Sequence, residues 1–297
     1  MMEINNNLMS LANENKPVVQ EKNDMRSYLE SIEYRVARTR GELEESYRLV
    51  YNEYLKRSYV NENDSKLHLS LFNLLPEATT FVALSNNEIL ATATVIPDTC
   101  FGLPMDDLYK PELDTLRQSG NKLCEISMLA SNTSIFKEGT PLLLNARKMF
   151  LIYYLFKYIL DYTIKYLNLD YICIAVNPKH EMTYDNLLFE NLGGLKSYDK
   201  VNGAPAIGKC LNLKTIKENC ARLNKSKIYQ LFFSHETADA NFLNKIKLSL
   251  DDIEYFFVKK TSVLAKIPPE KFSCLEERYP GYDLNSIIPH VKETKLP

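Results

Sequence analysis

The chain has 297 residues, 45% of them hydrophobic, enough to bury a sizeable core as one large domain or two small ones. A formal net charge of -2 and a pI of about 6.2 argue against bulk binding of nucleic acid. The six cysteines form no CxxC pair and no zinc-like spacing with the four histidines, so no metal is expected and the thiols read as reduced and mostly buried.

Residues 1–25 are polar and aperiodic, which predicts a disordered tail without the apolar core of a secretory signal, and a cytoplasmic protein. Residues 34–38 alternate weakly, as in a strand. Thr39 and Glu42 then have capping-box spacing, and Leu43, Tyr47, Val50, Tyr51 and Tyr54 recur at helical period to about Lys56. Residues 67–75 are apolar but of no assignable type. Residues 79–84 and 89–96 are rich in apolar and β-branched side chains and flank a polar turn, which predicts a hairpin. A helix is predicted over 112–118, before a turn at Ser119-Gly120-Asn121.

Residues 122–131 then read as a short buried strand with a carboxylate, Glu125, inside it. An ionised carboxylate in an apolar strand is costly unless paired, so Glu125 needs a structural partner or a chemical role. A long helix is predicted over about 142–167. Its apolar run at 149–160 is interrupted by Lys157 and falls short of the roughly 20 residues of a membrane span, so a buried helix without stable membrane insertion is expected. Residues 170–176 suit a strand covered on both faces. A short helix is predicted over 182–192, closed by Gly193-Gly194, then a β region over 195–213 with a turn at Asn202-Gly203. From Lys214 the pattern becomes helical, with a basic run through Lys227.

This order predicts an α/β fold with a mixed central sheet flanked by helices and a mostly helical C-terminal extension. The expected organisation is a tail at 1–25, a main domain at 26–213 and the extension at 214–297.

Several ordered residue groups carry a family resemblance. They are Tyr47-Arg48-Leu49-Val50-Tyr51 with Tyr54, Asp98 with Gly102-Leu103-Pro104-Met105-Asp106, Leu116-Arg117, and Glu125-Ile126-Ser127 before Leu129-Ala130. Asn177-Pro178-Lys179-His180 with Tyr184, and the stretch at 201–206, complete the set. Over about 34–215 the chain resembles the N-acyl amino acid synthases of the FeeM type, in the GNAT acyltransferase superfamily and related to the acyl-homoserine-lactone synthases. It departs from them at Met128, where relatives carry a basic residue. Nor is a Gly-rich pyrophosphate loop, which would cradle coenzyme A phosphates, recognisable over 131–145.

The resemblance implies a GNAT-like sheet and an N-acyltransferase. It would move a long fatty acyl group from a thioester on acyl carrier protein to the α-amine of an amino acid. No cofactor would be bound; the donor is the acyl-phosphopantetheine of the carrier, and the partners are that carrier and the amino acid acceptor. A coenzyme-A-dependent N-acetyltransferase and a non-catalytic acyl-carrier or lipid-binding protein are the competing readings. The resemblance also places a pantetheine groove against the Glu125 strand, near its divergence from the strand at 170–176. Backbone N–H groups around Met128, Leu129 and Ala130 are the candidate oxyanion donors, and Ser127 is a candidate substrate contact.

Glu125 is the first candidate base, with pairing to Arg48 as its structural alternative. His180 is the second, with ordinary loop contacts as its alternative. Arg48, sharing a helix face with Tyr51, is a candidate clamp for the acceptor carboxylate, with a surface or structural arginine as its alternative, and Asp98 is a candidate for the amine, with capping of a turn as its alternative. Asn177 and Tyr184 are further candidate substrate contacts. Phe81, Val95, Leu129, Phe150, Tyr154 and Ile174 are candidates for an acyl tunnel, with core packing the stronger reading for most. Arg147 and Lys148, and the Lys214–Lys227 run, are candidates for docking an acidic carrier protein.

Overall fold

The computed structural model, which describes residues 31–132, 141–233 and 240–288, is built around seven strands. They are β1 (Glu33–Val36), β2 (Thr79–Ser85), β3 (Glu88–Pro97), β4 (Leu123–Ser131), β5 (Tyr171–Val176), β6 (Glu190–Tyr198) and β7 (Ala204–Asn212). They form one mixed sheet in the order β1-β2-β3-β4-β5-β7-β6. Every neighbouring pair is antiparallel except β4 and β5. The tail expected at 1–25 lies outside the described residues.

Helix α1 (Arg40–Leu55) begins where the sequence places it: the Thr39 hydroxyl accepts from the Glu42 N–H at 3.2 Å. The hairpin turn puts Asn86 and Asn87 in the left-handed region, which Asn tolerates and a two-residue turn between twisted strands demands. Alternation along β2 sends Phe81 to one face and Val82 to the other. Phe81 joins a core with Ile126 and with Leu155 and Ile159 of the long helix α3 (Pro141–Lys165). Val82 joins a second core with Tyr47 and Val50 of α1 and with Ile253, Phe256 and Leu275 of the C-terminal part. Lys157 is buried within α3, where its ammonium donates to the Phe232 carbonyl. Among the described residues no helix is long and apolar enough to cross a membrane.

Helix α2 (Asp106–Gln118) starts six residues earlier than expected. It is kinked at Tyr109, just before Pro111, so its first turn carries little helical period. The expected helix over 182–192 is shorter: α4 (Glu181–Asn186) gives way to β6, and Gly193-Gly194 lies inside that strand. Gly193 answers to tertiary crowding, because a Cβ there would stand 2.5 Å from the Tyr109 ring. Residues 71–74 form one 3-10 turn.

The C-terminal part is helical, with α5 (Ile216–Arg222), α6 (Ser226–Phe233), α7 (Ala240–Leu243), α8 (Leu250–Glu254) running into a π-helical turn at Tyr255–Lys259, and α9 (Pro269–Arg278). Its residues enter both cores, so it covers both faces of the sheet. Cys100 and Cys274, expected as thiols, are joined as a disulfide that ties the loop after β3 to α9. Cys124, Cys173, Cys210 and Cys220 remain free.

Candidate functional site

The parallel pair β4–β5 is in register only over Leu123–Glu125 against Tyr171–Cys173. Beyond Glu125, β4 stays with β3 and β5 stays with β7, so the two strands part. A cavity of about 780 Å³ fills the gap, within the ordinary range for small-molecule sites. Residues 125–131 form one wall and residues 174–177 another. The remaining walls come from the end of α1 and the segment after it, from α3, from α4, and from the β6–β7 turn region.

One feature of β4 shapes its wall. Thr94 pairs with Ser127 and Thr92 with Ala130, so Ala93 alone faces both Met128 and Leu129. This is a β-bulge, which withdraws an extra residue from the ladder and re-aims the backbone. Met128 bears its cost: its φ is 56°, a region disfavoured for any residue with a Cβ. Packing holds it there, since its side chain is buried and its sulfur accepts from the Asn73 amide at 3.3 Å.

Glu125 is buried at the point where the strands part, and it lines the cavity. Its Oε2 accepts the Met105 N–H at 2.7 Å. The loop that presents Met105 is tightly fixed. Arg117 binds both Asp98 and Asp106 through pairs of nitrogens, and Asp106 Oδ2 also accepts the Leu103 N–H. Gly102 is required there, having φ of 70° and no room for a Cβ beside Asp106. Burial pushes the Glu125 carboxyl up to about 8; the Met105 N–H opposes the shift, and the charges of Asp106 and Asp107 add to it. Around it stand phenols whose acidity is suppressed. Burial and then the Glu125 charge push Tyr54 up to about 12, and the same two causes raise Tyr198.

A cationic end of the cavity lies at the end of α1. Glu53 is buried and binds Lys56 at 2.6 Å and Arg57 at 2.8 Å. Its carboxyl falls below the ordinary value, because these two cations outweigh the burial that would raise it. Arg57, Lys148 and His180 all line the cavity. His180 is lowered by partial burial and then by the charges of Lys179, Arg57 and Lys148, which keeps it neutral near pH 7.

Of the residues singled out in the sequence, Glu125, Ser127, Met128, Leu129, Ala130, Asn177, His180, Tyr184 and Lys148 come together around this cavity. Four others do not. Arg48 is on the outer side of α1, paired with Glu44 at 2.7 Å, and it reaches neither Glu125 nor the cavity. Tyr51 is a core residue whose hydroxyl accepts from the Asn63 N–H at 3.3 Å. Asp98 is consumed by Arg117. Arg147 is half-buried and outside the cavity lining, whereas its neighbour Lys148 faces inward. Of the tunnel candidates only Leu129 and Ile174 line the space; Phe81 and Val95 are core, Tyr154 stacks on Tyr34, and Phe150 is exposed. In the basic run, Lys214 is paired with Asp170, and Lys217 lies over the Phe233 ring.

Sequence reasoning gave no role to Tyr54, Arg57, His68 or Tyr198, all of which line the cavity. Tyr54 continues the core stripe of α1, so its helical period disguised it. His68 packs its ring against Tyr54, and burial lowers it to about 4, so it stands neutral in the wall. Tyr198 arrives from β6, and its hydroxyl donates to the Pro104 carbonyl at 3.1 Å. Among the described residues no group of His, Cys, Asp or Glu could hold a metal ion.

A family model described as N-acyl amino acid synthase FeeM matches residues 45–212, more than half of the chain. No curated protein matches it. Among solved structures the chain is similar to FeeM, an N-acyl amino acid synthase from uncultured soil microbes. The identity is 29% and the TM-score 0.54, covering 65% of this chain and 96% of that one. It is also similar to the AHL synthase LasI, at 11% identity and a TM-score of 0.48, covering 70% of this chain and 96% of that one. An N-acetyltransferase from Staphylococcus aureus Mu50 aligns at 16% identity and a TM-score of 0.41, covering 62% of this chain and 98% of that one.

Proposed function

This chain belongs to the FeeM family of N-acyl amino acid synthases and is an N-acyltransferase; on that premise we propose that it joins a long fatty acyl group to the α-amine of an amino acid, taking the acyl group from acyl carrier protein in the cytoplasm. The observation that carries the reading is the conjunction of Glu125 and the Met128 bulge on one wall of the cavity where β4 and β5 part.

The reaction is aminolysis of a thioester. The amine lone pair attacks the carbonyl carbon, and the C–N bond forms as charge gathers on oxygen. The C–S bond then breaks, and the sulfur leaves as a thiolate that takes up the proton lost by the nitrogen, ending as the thiol. A base must take the proton that the nitrogen loses. Glu125, buried and with its carboxyl raised to about 8, fits that role directly or through one water, since a base with a pKa near the working pH transfers protons efficiently. Backbone N–H groups of the bulge, from Met128 to Ala130, are the proposed oxyanion donors. No enzyme-bound acyl intermediate is needed, so holding donor and acceptor together supplies much of the rate.

Leu129, Ile152, Ile174 and Val176 offer an apolar bed for the acyl chain. Asn177, His180 and Tyr184 flank the acceptor in this reading. The carrier protein docks near the start of α3, beside Arg147. Support for a carrier-delivered donor comes from the sequence over 131–145, which lacks a recognisable pyrophosphate loop. The test is expression in bacteria with mass spectrometry of an organic extract, followed by purified transfer from acyl carrier protein and from acyl-coenzyme A. The reading expects a new N-acyl amino acid and a large preference for the carrier thioester. Soluble protein with no new amide, or equal use of both donors, refutes it.

A further inference from the structure

The cationic end of the cavity is not used by the chemistry above. Lys148, on α3, is half-buried and faces inward. Among the described residues none closes an ion pair with it or accepts a hydrogen bond from it. The charges that bear on it are those of Arg57 and Glu53, both at the end of α1. Glu53 is already shared by Lys56 and Arg57, whose two charges exceed its one. Arg57 gives Glu53 only Nη1, bonded to both its carboxylate and its carbonyl, so that among the described residues its other nitrogens make no hydrogen bond. So two cations, from the end of α1 and from α3, line one cavity, and among the described residues Lys56, Arg57 and Lys148 stand against Glu53 there. A half-buried ammonium is penalised by lost hydration, and the Arg57 charge adds to that penalty. A ligand anion would relieve both.

We propose that Arg57 and Lys148 form an anion subsite for a substrate oxyanion held in the same cavity as the acyl-bearing part of the reaction. The neighbouring wall of Leu129, Ile152 and Ile174 is apolar, so the fitting ligand is an acylated molecule with one charged head. Two parts of the reaction carry that chemistry: the carboxylate of the acceptor amino acid and the phosphate at the end of the pantetheine arm. This inference rests on the acyl-transfer reading and names where its charge is held. It also moves Lys148 from a carrier-docking surface to a ligand contact.

Calorimetry on the full chain tests it without turnover. One ligand pair is N-dodecanoyl leucine and N-dodecanoyl leucinamide, which differ only in the carboxylate. The other is the non-hydrolysable amide analogue of S-dodecanoyl phosphopantetheine, with and without its phosphate. The charged member of one pair binds more tightly by about tenfold to a hundredfold, the value of one or two charge-assisted hydrogen bonds. Lys148→Met abolishes that discrimination, and Lys148→Arg keeps it. Discrimination in the first pair assigns the acceptor carboxylate, and in the second the donor phosphate. No discrimination in either pair, or discrimination that survives Lys148→Met in a folded protein, overturns the proposal. Charge-selective binding without transfer would leave this subsite standing and remove the enzymatic reading. Transfer indifferent to Lys148 would do the reverse.

Discussion

Replacing Glu125 by glutamine separates its structural and chemical roles. The amide is nearly isosteric and keeps a carbonyl oxygen to accept the Met105 N–H, now held at 2.7 Å. In the wild type the folded carboxyl titrates at about 8, whereas an unfolded glutamate titrates near about 4.3. Between those values the folded chain keeps a proton that the unfolded chain has lost. The Glu125 contribution to stability is therefore fully present below about pH 4 and is lost as pH rises through 8. At about 1.4 kcal/mol for each pH step of one across that window, the wild type should lose on the order of 3 kcal/mol relative to Glu125→Gln between about pH 5 and pH 8. Urea denaturation of both proteins across that range reads the difference, with the variant the more stable at pH 8. Turnover moves the other way. Loss of the base should lower kcat by about 10²–10⁴, and the rise in rate through pH 8 should vanish with it. A variant that turns over like the wild type, or a stability gap that does not change with pH, would refute both the burial argument and the assignment of the base.

The remaining predictions test the bulge, the corrected arginine and a close approach. Met128→Ile puts a β-branched residue at a φ of 56° and should destabilise by about 1–3 kcal/mol in urea melts, with kcat falling as the oxyanion wall shifts; an unchanged melt would show that the bulge is not held. Arg48→Ala removes only a part-exposed pair with Glu44, so stability should change by about 1 kcal/mol or less and the acceptor KM should stay within about twofold. A tenfold rise in that KM would restore Arg48 to the site. Gly193→Ala drives a Cβ to 2.5 Å from the Tyr109 ring, and thermal melts should show about 1–3 kcal/mol of destabilisation; a neutral result would mean that the ring moves aside freely.

Most elements were legible in the sequence because their signals are local. The capping box at Thr39 and Glu42, the β-branched hairpin and the apolar run of β5 each depend on neighbours a few residues away. Glu125 was legible for a related reason: a carboxylate in an apolar strand breaks a local pattern. Gly193-Gly194 misled, because two glycines end a helix as readily as they make room for a ring from another element. Arg48 misled too. It shares a helix face with Tyr51, but the helix turns that arginine outward toward Glu44.

Composition and periodicity alone thus determined that this is an α/β chain with a strand bearing a buried carboxylate, and the ordered residue groups pointed to its family. Only the tertiary structure decided what surrounds that carboxylate. The parting of β4 from β5, the Met105 N–H brought in by a loop, and Tyr198 arriving from β6 depend on contacts between residues far apart in the chain. Burial follows from all those contacts together; it sets the proton affinity of Glu125, and the same tertiary contacts bring Lys148 and Arg57 to one cavity.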